Sequence, residues 1–172
     1  MAPKILIFVG IDGTGKTPLI DMVAQRRPDV IIRRIVDNPL LLEPGQSMRE
    51  AVSEVSSWPN QSNQDFIIYD RFPYPDEFVY GNGDILQKED LVSWNSLFVR
   101  WGVRYVYTYP YDEAEYIRRK TDDPDEYIPT HMRGVFNNLM SRYEQWLEIN
   151  TCPILRMAHD MGKLYTLEDA DK

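Results

Sequence analysis

Apolar positions along the chain alternate between two rhythms, short continuous runs and helical spacings. Residues 4–9, Lys4-Ile5-Leu6-Ile7-Phe8-Val9, are apolar after the first and stop at Gly10, the profile of a strand buried on both faces. Leu19, Ile20, Met22 and Val23 then follow a glycine-rich turn at helical spacing. Residues 30–36, interrupted by Arg33 and Arg34, predict a second strand. Residues 47–55 predict a helix with Met48, Ala51, Val52 and Val55 on one side. A short polar loop is expected over 58–64. Phe66-Ile67-Ile68-Tyr69 is a third apolar run closing at Asp70, and a loop rich in proline, tyrosine and glycine follows it. Residues 88–101 suit a helix facing inward with Leu91, Trp94, Leu97 and Phe98. Beyond it, 103–108 is strand-like, 112–120 helical, 121–126 polar with Pro124, 131–149 a long helix and 153–158 a last strand. Strands alternating with helices predict an α/β fold of three layers, α/β/α, around a mostly parallel sheet of about five strands. No internal repeat and no linker divides residues 1–172, so a single domain is expected.

Composition narrows the class. The chain has 172 residues, 43% hydrophobic and 27% charged, enough to bury roughly 70% of the surface its unfolded form exposes. No window approaches the ~20 apolar residues of a membrane span, and the apolar stretch 5–9 is too short for a secretory signal. The single cysteine, Cys152, excludes an internal disulfide. It is expected as a buried core thiol, with a reducing cytoplasm as the natural compartment. Nineteen Lys and Arg stand against 27 Asp and Glu, a formal charge of -8. Such a surface repels nucleic-acid backbones, so an anionic partner must be met at a local basic site. A small phosphorylated ligand fits that condition better than a polymer. His131 and His159 are the only histidines, which removes support for a histidine metal site or a catalytic triad.

The local basic site is marked by Gly10-Ile11-Asp12-Gly13-Thr14-Gly15-Lys16-Thr17. It matches the Walker A phosphate-loop pattern and lies where that pattern must lie, between a buried strand and a helix. Gly13 and Gly15 let the backbone curl so that successive N–H groups point at one phosphate. With Asp12 and Thr14 they form the cradle, and the following helix offers its N-terminus to the same anion. Lys16 can bridge the β- and γ-phosphates of ATP, while the Thr17 hydroxyl can ligate Mg²⁺. Pro18 is tolerated because a first-turn N–H has no intrahelical acceptor. The guanine-reading Asn-Lys-x-Asp stretch of switch GTPases is missing. At this length the pattern favours a kinase of a nucleotide or small metabolite.

Three further stretches carry a resemblance. Val9 to Thr17, with an acidic residue before the middle glycine, Ile67-Ile68-Tyr69-Asp70-Arg71-Phe72, and Glu115-Tyr116-Ile117-Arg118-Arg119-Lys120 together resemble the thymidylate kinase family of P-loop nucleoside monophosphate kinases. A weaker echo is Glu43-Pro44-Gly45 with Arg49. The resemblance implies transfer of the ATP γ-phosphate to a deoxynucleoside monophosphate, dTMP or a related pyrimidine. It implies Asp70 as a Mg²⁺ partner beside Thr17, and Arg71 and Arg49 on the acceptor phosphate. It implies Asp12 on the acceptor sugar, and Arg118 and Arg119 closing from a lid at about 118–128. It also implies a homodimer. The residues by themselves leave plainer roles open: a surface ion pair for Asp70-Arg71, helix-dipole cations for Arg118 and Arg119, a turn for Asp12 and a solvated charge for Arg49.

The stretch Pro73-Tyr74-Pro75-Asp76-Glu77-Phe78-Val79-Tyr80-Gly81 departs from the family pattern, as do the acidic residues Asp122, Asp123, Asp125 and Glu126 after the lid arginines. Phe72, Tyr74, Phe78 and Tyr80 are expected to stack on the acceptor base or to join the core. Two alternatives stay open. One is a kinase of deoxynucleosides or of hydroxymethylated pyrimidines in DNA; the other is a nucleotide-binding regulator that has lost transfer.

Overall fold

Apolar residues alternate sides along β1 (Lys4–Gly10), and both sides are covered. Ile5, Ile7 and Val9 enter one hydrophobic cluster, and Phe8 enters another on the opposite face. The computed structural model describes residues 4–11, 16–34, 46–61, 66–80, 86–114, 116, 133–160 and 163–166. Within them β1 is flanked by β3 (Phe66–Asp70) and β4 (Arg104–Pro110), with β2 (Ile31–Arg33), β5 (Ile154–Asp160) and β6 (Lys163–Thr166) completing the order β2-β3-β1-β4-β5-β6. The pairs β1–β3, β1–β4, β2–β3 and β4–β5 are parallel, and β6 runs antiparallel to β5. The predicted parallel sheet is therefore present in five strands. The sixth, antiparallel strand was not expected, because four residues at a sheet edge carry no periodic apolar signal.

The helices sort by the handedness of their crossovers. The connection from β1 to β2 moves one way across the sheet, whereas β2 to β3, β3 to β4 and β4 to β5 move the other way. Right-handed connections then place α1 (Lys16–Arg26) on one face and the later helices on the other. The packing agrees: Ile20, Leu19 and Val23 of α1 meet Phe8, Ile68 and Val106. Residues of α2 (Gln46–Ser57), α3 (Pro73–Tyr80), α4 (Lys88–Arg100) and α5 (Arg133–Ile149) share the larger cluster with Ile7, Tyr69 and Tyr105. The inward residues expected of α4 are buried or partly buried as predicted.

Three expectations are corrected. Residues 73–80, read as loop, form α3. Tyr74 is extended (φ -104, ψ 122), as the residue before a proline prefers. Pro75 then enters the first turn, where its missing N–H costs nothing. Val52, assigned to the buried side of α2, faces solvent at 53% exposure; the buried stripe is Met48, Ala51 and Val55, continued by Trp58. Trp58 opens the supposed polar loop but is fully buried at the head of a 3-10 turn, Trp58–Gln61. Its ring packs against Tyr69, Phe72, Phe98 and Trp101. Its Nε1 donates to Tyr69 Oη at 2.8 Å, and that hydroxyl donates to Glu54 Oε1 at 2.7 Å. The expected strand residues 35–36, helix residues 117–120, polar segment 121–126 and helix start 131–132 lie outside the described residues. Among the described residues, no helix is long and apolar enough to cross a membrane.

Trp58→Ala is expected to lower the unfolding free energy by about 3–5 kcal/mol. Trp58→Phe, which keeps a ring but leaves the Tyr69 hydroxyl without its donor, is expected to cost about 1–3 kcal/mol. Urea unfolding checks both, and an alanine variant as stable as the parent chain contradicts this packing.

Candidate active site

Two strand ends build the site. At the carboxyl end of β1, Gly10 pairs in register with Thr108 of β4 and has φ +143. A Cβ there would fall inside van der Waals contact of the Thr108 carbonyl oxygen and 2.6 Å from its hydroxyl. Glycine is therefore required by the close approach of the two strands as well as by the backbone angle. Thr108 itself is completely buried.

Lys16 opens α1 and is 7% exposed. Its Nζ donates to the carbonyl oxygens of Gly10 at 2.9 Å and Ile11 at 2.8 Å. The ammonium is thus held against the end of β1, at the start of the loop that the Walker pattern assigns to phosphate. No acidic residue lies in the first turn of α1, so the positive end of that helix is not cancelled from within. Thr17 follows and is exposed. Asp12, Gly13, Thr14 and Gly15 lie outside the described residues.

On the neighbouring strand, Asp70 ends β3, half-buried and in register with Phe8. The Arg71 N–H donates to the Phe8 carbonyl at 2.9 Å, which ties the turn after β3 to β1. Arg71 has φ 67, a left-handed conformation that a residue with a Cβ rarely adopts. Its Nη1 meets Asp76 Oδ2 of α3 at 3.0 Å, and its guanidinium carbon lies 5.5 Å from the centre of the Tyr80 ring. Lys16, Thr17, Asp70 and Arg71 are thereby gathered at the carboxyl ends of adjacent parallel strands, where open α/β sheets hold ligands. Arg49 stands exposed on α2, which packs against α3. Arg118 and Arg119, with Lys120, and the Glu43-Pro44-Gly45 segment lie outside the described residues.

Phe72 and Tyr74 do not line this edge. Both are about 1% exposed. Phe72 packs edge-on against Tyr69 and Phe98, and Tyr74 stacks on Trp94. The Tyr74 hydroxyl donates to the Leu91 carbonyl at 3.2 Å and accepts from Trp146 Nε1 at 3.2 Å. Their expected role on the acceptor base is replaced by a core role, because neighbouring rings occupy their faces.

The partners of Arg71 and the role of Glu54 were missed in the sequence. Asp76 and Tyr80 sit in a stretch taken for loop, and only the helical spacing of four, once α3 is known, places them together. Glu54 accepts from Tyr69 and also from Arg33 Nη1 at 2.6 Å. It lines a cleft of about 490 Å³ between β2 and α2 with Arg33, Arg34, Glu50 and Ser53; nothing in the local pattern distinguishes it from a solvated charge.

Burial raises the pKa of the Cys152 thiol to about 11 and pushes Tyr69, Tyr74, Tyr105, Tyr107 and Tyr143 above the ordinary tyrosine value. Cys152 is buried, as expected of a core thiol, and its neutral form disfavours thiolate chemistry. Among the described residues, no group of three or more His, Cys, Asp or Glu is placed to hold a metal. A hydroxyl and a carboxylate, Thr17 and Asp70, are hard oxygen donors that suit Mg²⁺. That ion usually keeps several waters and takes its other ligands from substrate phosphates, so the pair fits the implied metal without a protein cage.

Three solved structures share this architecture. YorR from Bacillus subtilis, solved in complex with phosphorylated GDP, aligns with a TM-score of 0.64 at 16% identity, over 90% of this chain and 85% of its own. The chain has the three-layer α/β/α P-loop fold. Polyphosphate kinase 2 from Arthrobacter aurescens TC1 aligns at 0.54 and 16%, over 90% of this chain and 61% of its own. Thymidylate kinase from Candida albicans aligns at 0.51 and 14%, over 90% and 84%. No family model and no curated protein matches the chain. At these identities the likeness is one of P-loop fold, and the acceptor has to be argued from residues.

Gly10→Ala is expected to force β1 from β4 and destabilise the chain by about 1–3 kcal/mol, which thermal unfolding measures. In alkali the sign is set by the raised pKa values. The folded chain holds protons that the unfolded chain releases, so this stability is complete below pH 9 and declines as pH rises toward about 11 and beyond. An absorbance titration should show the five buried tyrosines ionising only as the chain unfolds. Their ionisation in the native state contradicts the burial.

Proposed function

We propose that the chain is an ATP-dependent phosphotransferase whose acceptor is a deoxynucleoside monophosphate, dTMP or a related pyrimidine nucleotide. The observation that carries this is the meeting of the buried Lys16, held at the end of β1, with the Asp70-Arg71 pair at the end of β3. A cation for donor phosphates, held from α1 at the end of β1, and an acid–arginine pair for metal and acceptor, at the end of β3, stand at the ends of neighbouring strands. The thymidylate kinase-like motifs support the acceptor assignment, and the fold shared with nucleotide-handling proteins is consistent with it.

In the reaction an oxygen of the acceptor phosphate bonds to the γ-phosphorus. The bond from that phosphorus to the β–γ bridging oxygen breaks, and ADP leaves with that electron pair. The acceptor is already an oxyanion, so no strong general base is required. Lys16 and the loop amides of Asp12 to Lys16 bind the donor phosphates and offset charge that develops on them. Arg71, with Arg49, orients the acceptor phosphate, and Arg118 and Arg119 close from the lid segment. Asp12 holds the acceptor sugar. Thr17 and Asp70 would hold Mg²⁺, which would supply charge neutralisation on the donor phosphates. Positioning and charge neutralisation then account for most of the rate.

The test is phosphoryl transfer with Mg²⁺ across deoxynucleoside monophosphates, free deoxynucleosides and DNA carrying hydroxymethylated bases, from ATP and separately from inorganic polyphosphate. Turnover on dTMP or a pyrimidine relative is expected, with Lys16→Ala lowering kcat/KM on the order of 10²- to 10³-fold. Turnover confined to nucleosides or DNA moves the acceptor, turnover from polyphosphate alone moves the donor, and ATP binding without any transfer makes the chain a nucleotide-binding regulator.

A further inference from the structure

The stretch 73–80, where the sequence leaves the family pattern, supplies two groups that act on Arg71. Asp76 and Tyr80 are four residues apart on α3, hence on one face of the helix. Asp76 Oδ2 meets Arg71 Nη1 at 3.0 Å, and Tyr80 lies beneath the guanidinium at 5.5 Å. The two charged side chains are only 17% and 16% exposed, so this pair is not an ordinary solvated bridge. Tyr80 is held in turn by Tyr143 of α5, edge-on at 6.4 Å, and Arg142 of α5 donates to the Val79 carbonyl at 3.1 Å. The α3 face that meets Arg71 is therefore braced from behind.

We propose that Asp76 is the positioning residue for Arg71: it fixes the guanidinium plane so that the arginine meets the acceptor phosphate already oriented. This rests on the acceptor role given to Arg71 above. Three constraints converge on one side chain: a left-handed backbone at φ 67, a carboxylate on one edge and a ring below one face. Unfavourable backbone geometry persists where the surroundings over-determine it, typically at functional sites. An arginine side chain left to itself must lose its rotamer freedom when it binds; one held beforehand has already lost it.

The opposite effect is real and gives the test its sign. Asp76 also cancels part of the Arg71 charge, so a purely electrostatic view expects phosphate to bind more tightly once Asp76 is neutral. In a largely buried pair, however, removing one partner takes from the other the charged hydrogen bond that fixes its orientation. Positioning is therefore expected to outweigh the gain in net charge.

The experiment compares the parent chain with Asp76→Asn and Asp76→Glu, each first checked for a native thermal transition. Steady-state transfer from ATP to the best nucleoside monophosphate is measured, together with calorimetric binding of that monophosphate. Asp76→Asn is expected to raise the acceptor KM by about tenfold, more than it lowers kcat, while the KM for ATP stays within about twofold. Asp76→Glu, which restores the charge one methylene further out, is expected to fall between. Should the asparagine variant not fold, the acceptor KM of the glutamate variant decides. In a cycle with Arg71→Gln, the Asp76 effect is expected to vanish once Arg71 is gone. Unchanged or tighter acceptor binding in Asp76→Asn overturns the proposal while leaving the kinase reading intact, and so does an equal loss for ATP and acceptor. If the parent chain neither transfers to nor binds a nucleoside monophosphate, the acceptor reading fails and the proposal fails with it.

Discussion

β1 is paired on both edges and covered on both faces, and the placement of Lys16 and Asp70 follows from that. Its neighbours are β3 and β4, so its last residues are fixed against Asp70 on one side and Thr108 on the other. The absence of a side chain at Gly10 lets β4 approach as closely as it does. α1 begins at Lys16, whose ammonium lies against the carbonyls of Gly10 and Ile11. The cation is thus placed by a strand buried over most of its length.

The second half of the site is placed less rigidly. Arg71 is the first residue beyond β3 and is anchored to Phe8 through its backbone, but its side chain depends on α3. That helix is short and begins at a proline pair, and α5 holds it in place. The core behind it is strongly aromatic: Trp58, Tyr69, Phe72, Tyr74, Trp94 and Phe98 pack tilted, edge-on or stacked among themselves. Hydroxyl and indole groups inside it find partners in Glu54, Leu91 and each other. The aromatic residues first associated with a base pocket serve this role instead. They set the platform on which α3 and Arg71 rest.

What could be read from the chain itself follows from local rules. Continuous apolar runs disclose strands buried on both faces, which is why β1, β3 and β4 and the inward side of α4 were legible. The glycine-rich turn predicted a strand before it and a helix after it, and β1 and α1 stand there. Tertiary structure decided the rest. A four-residue antiparallel edge strand has too little pattern to be seen. The face on which Val52 lies depends on where α2 meets the sheet. A Pro-Tyr-Pro sequence is loop or helix according to whether its neighbours supply a platform. The partners of Arg71 became visible only once α3 existed, since Asp76 and Tyr80 converge on it through helix geometry and through packing against α5. A local pattern can name a reactive residue type, but the groups that hold it in place come from distant parts of the chain and meet only in the folded core.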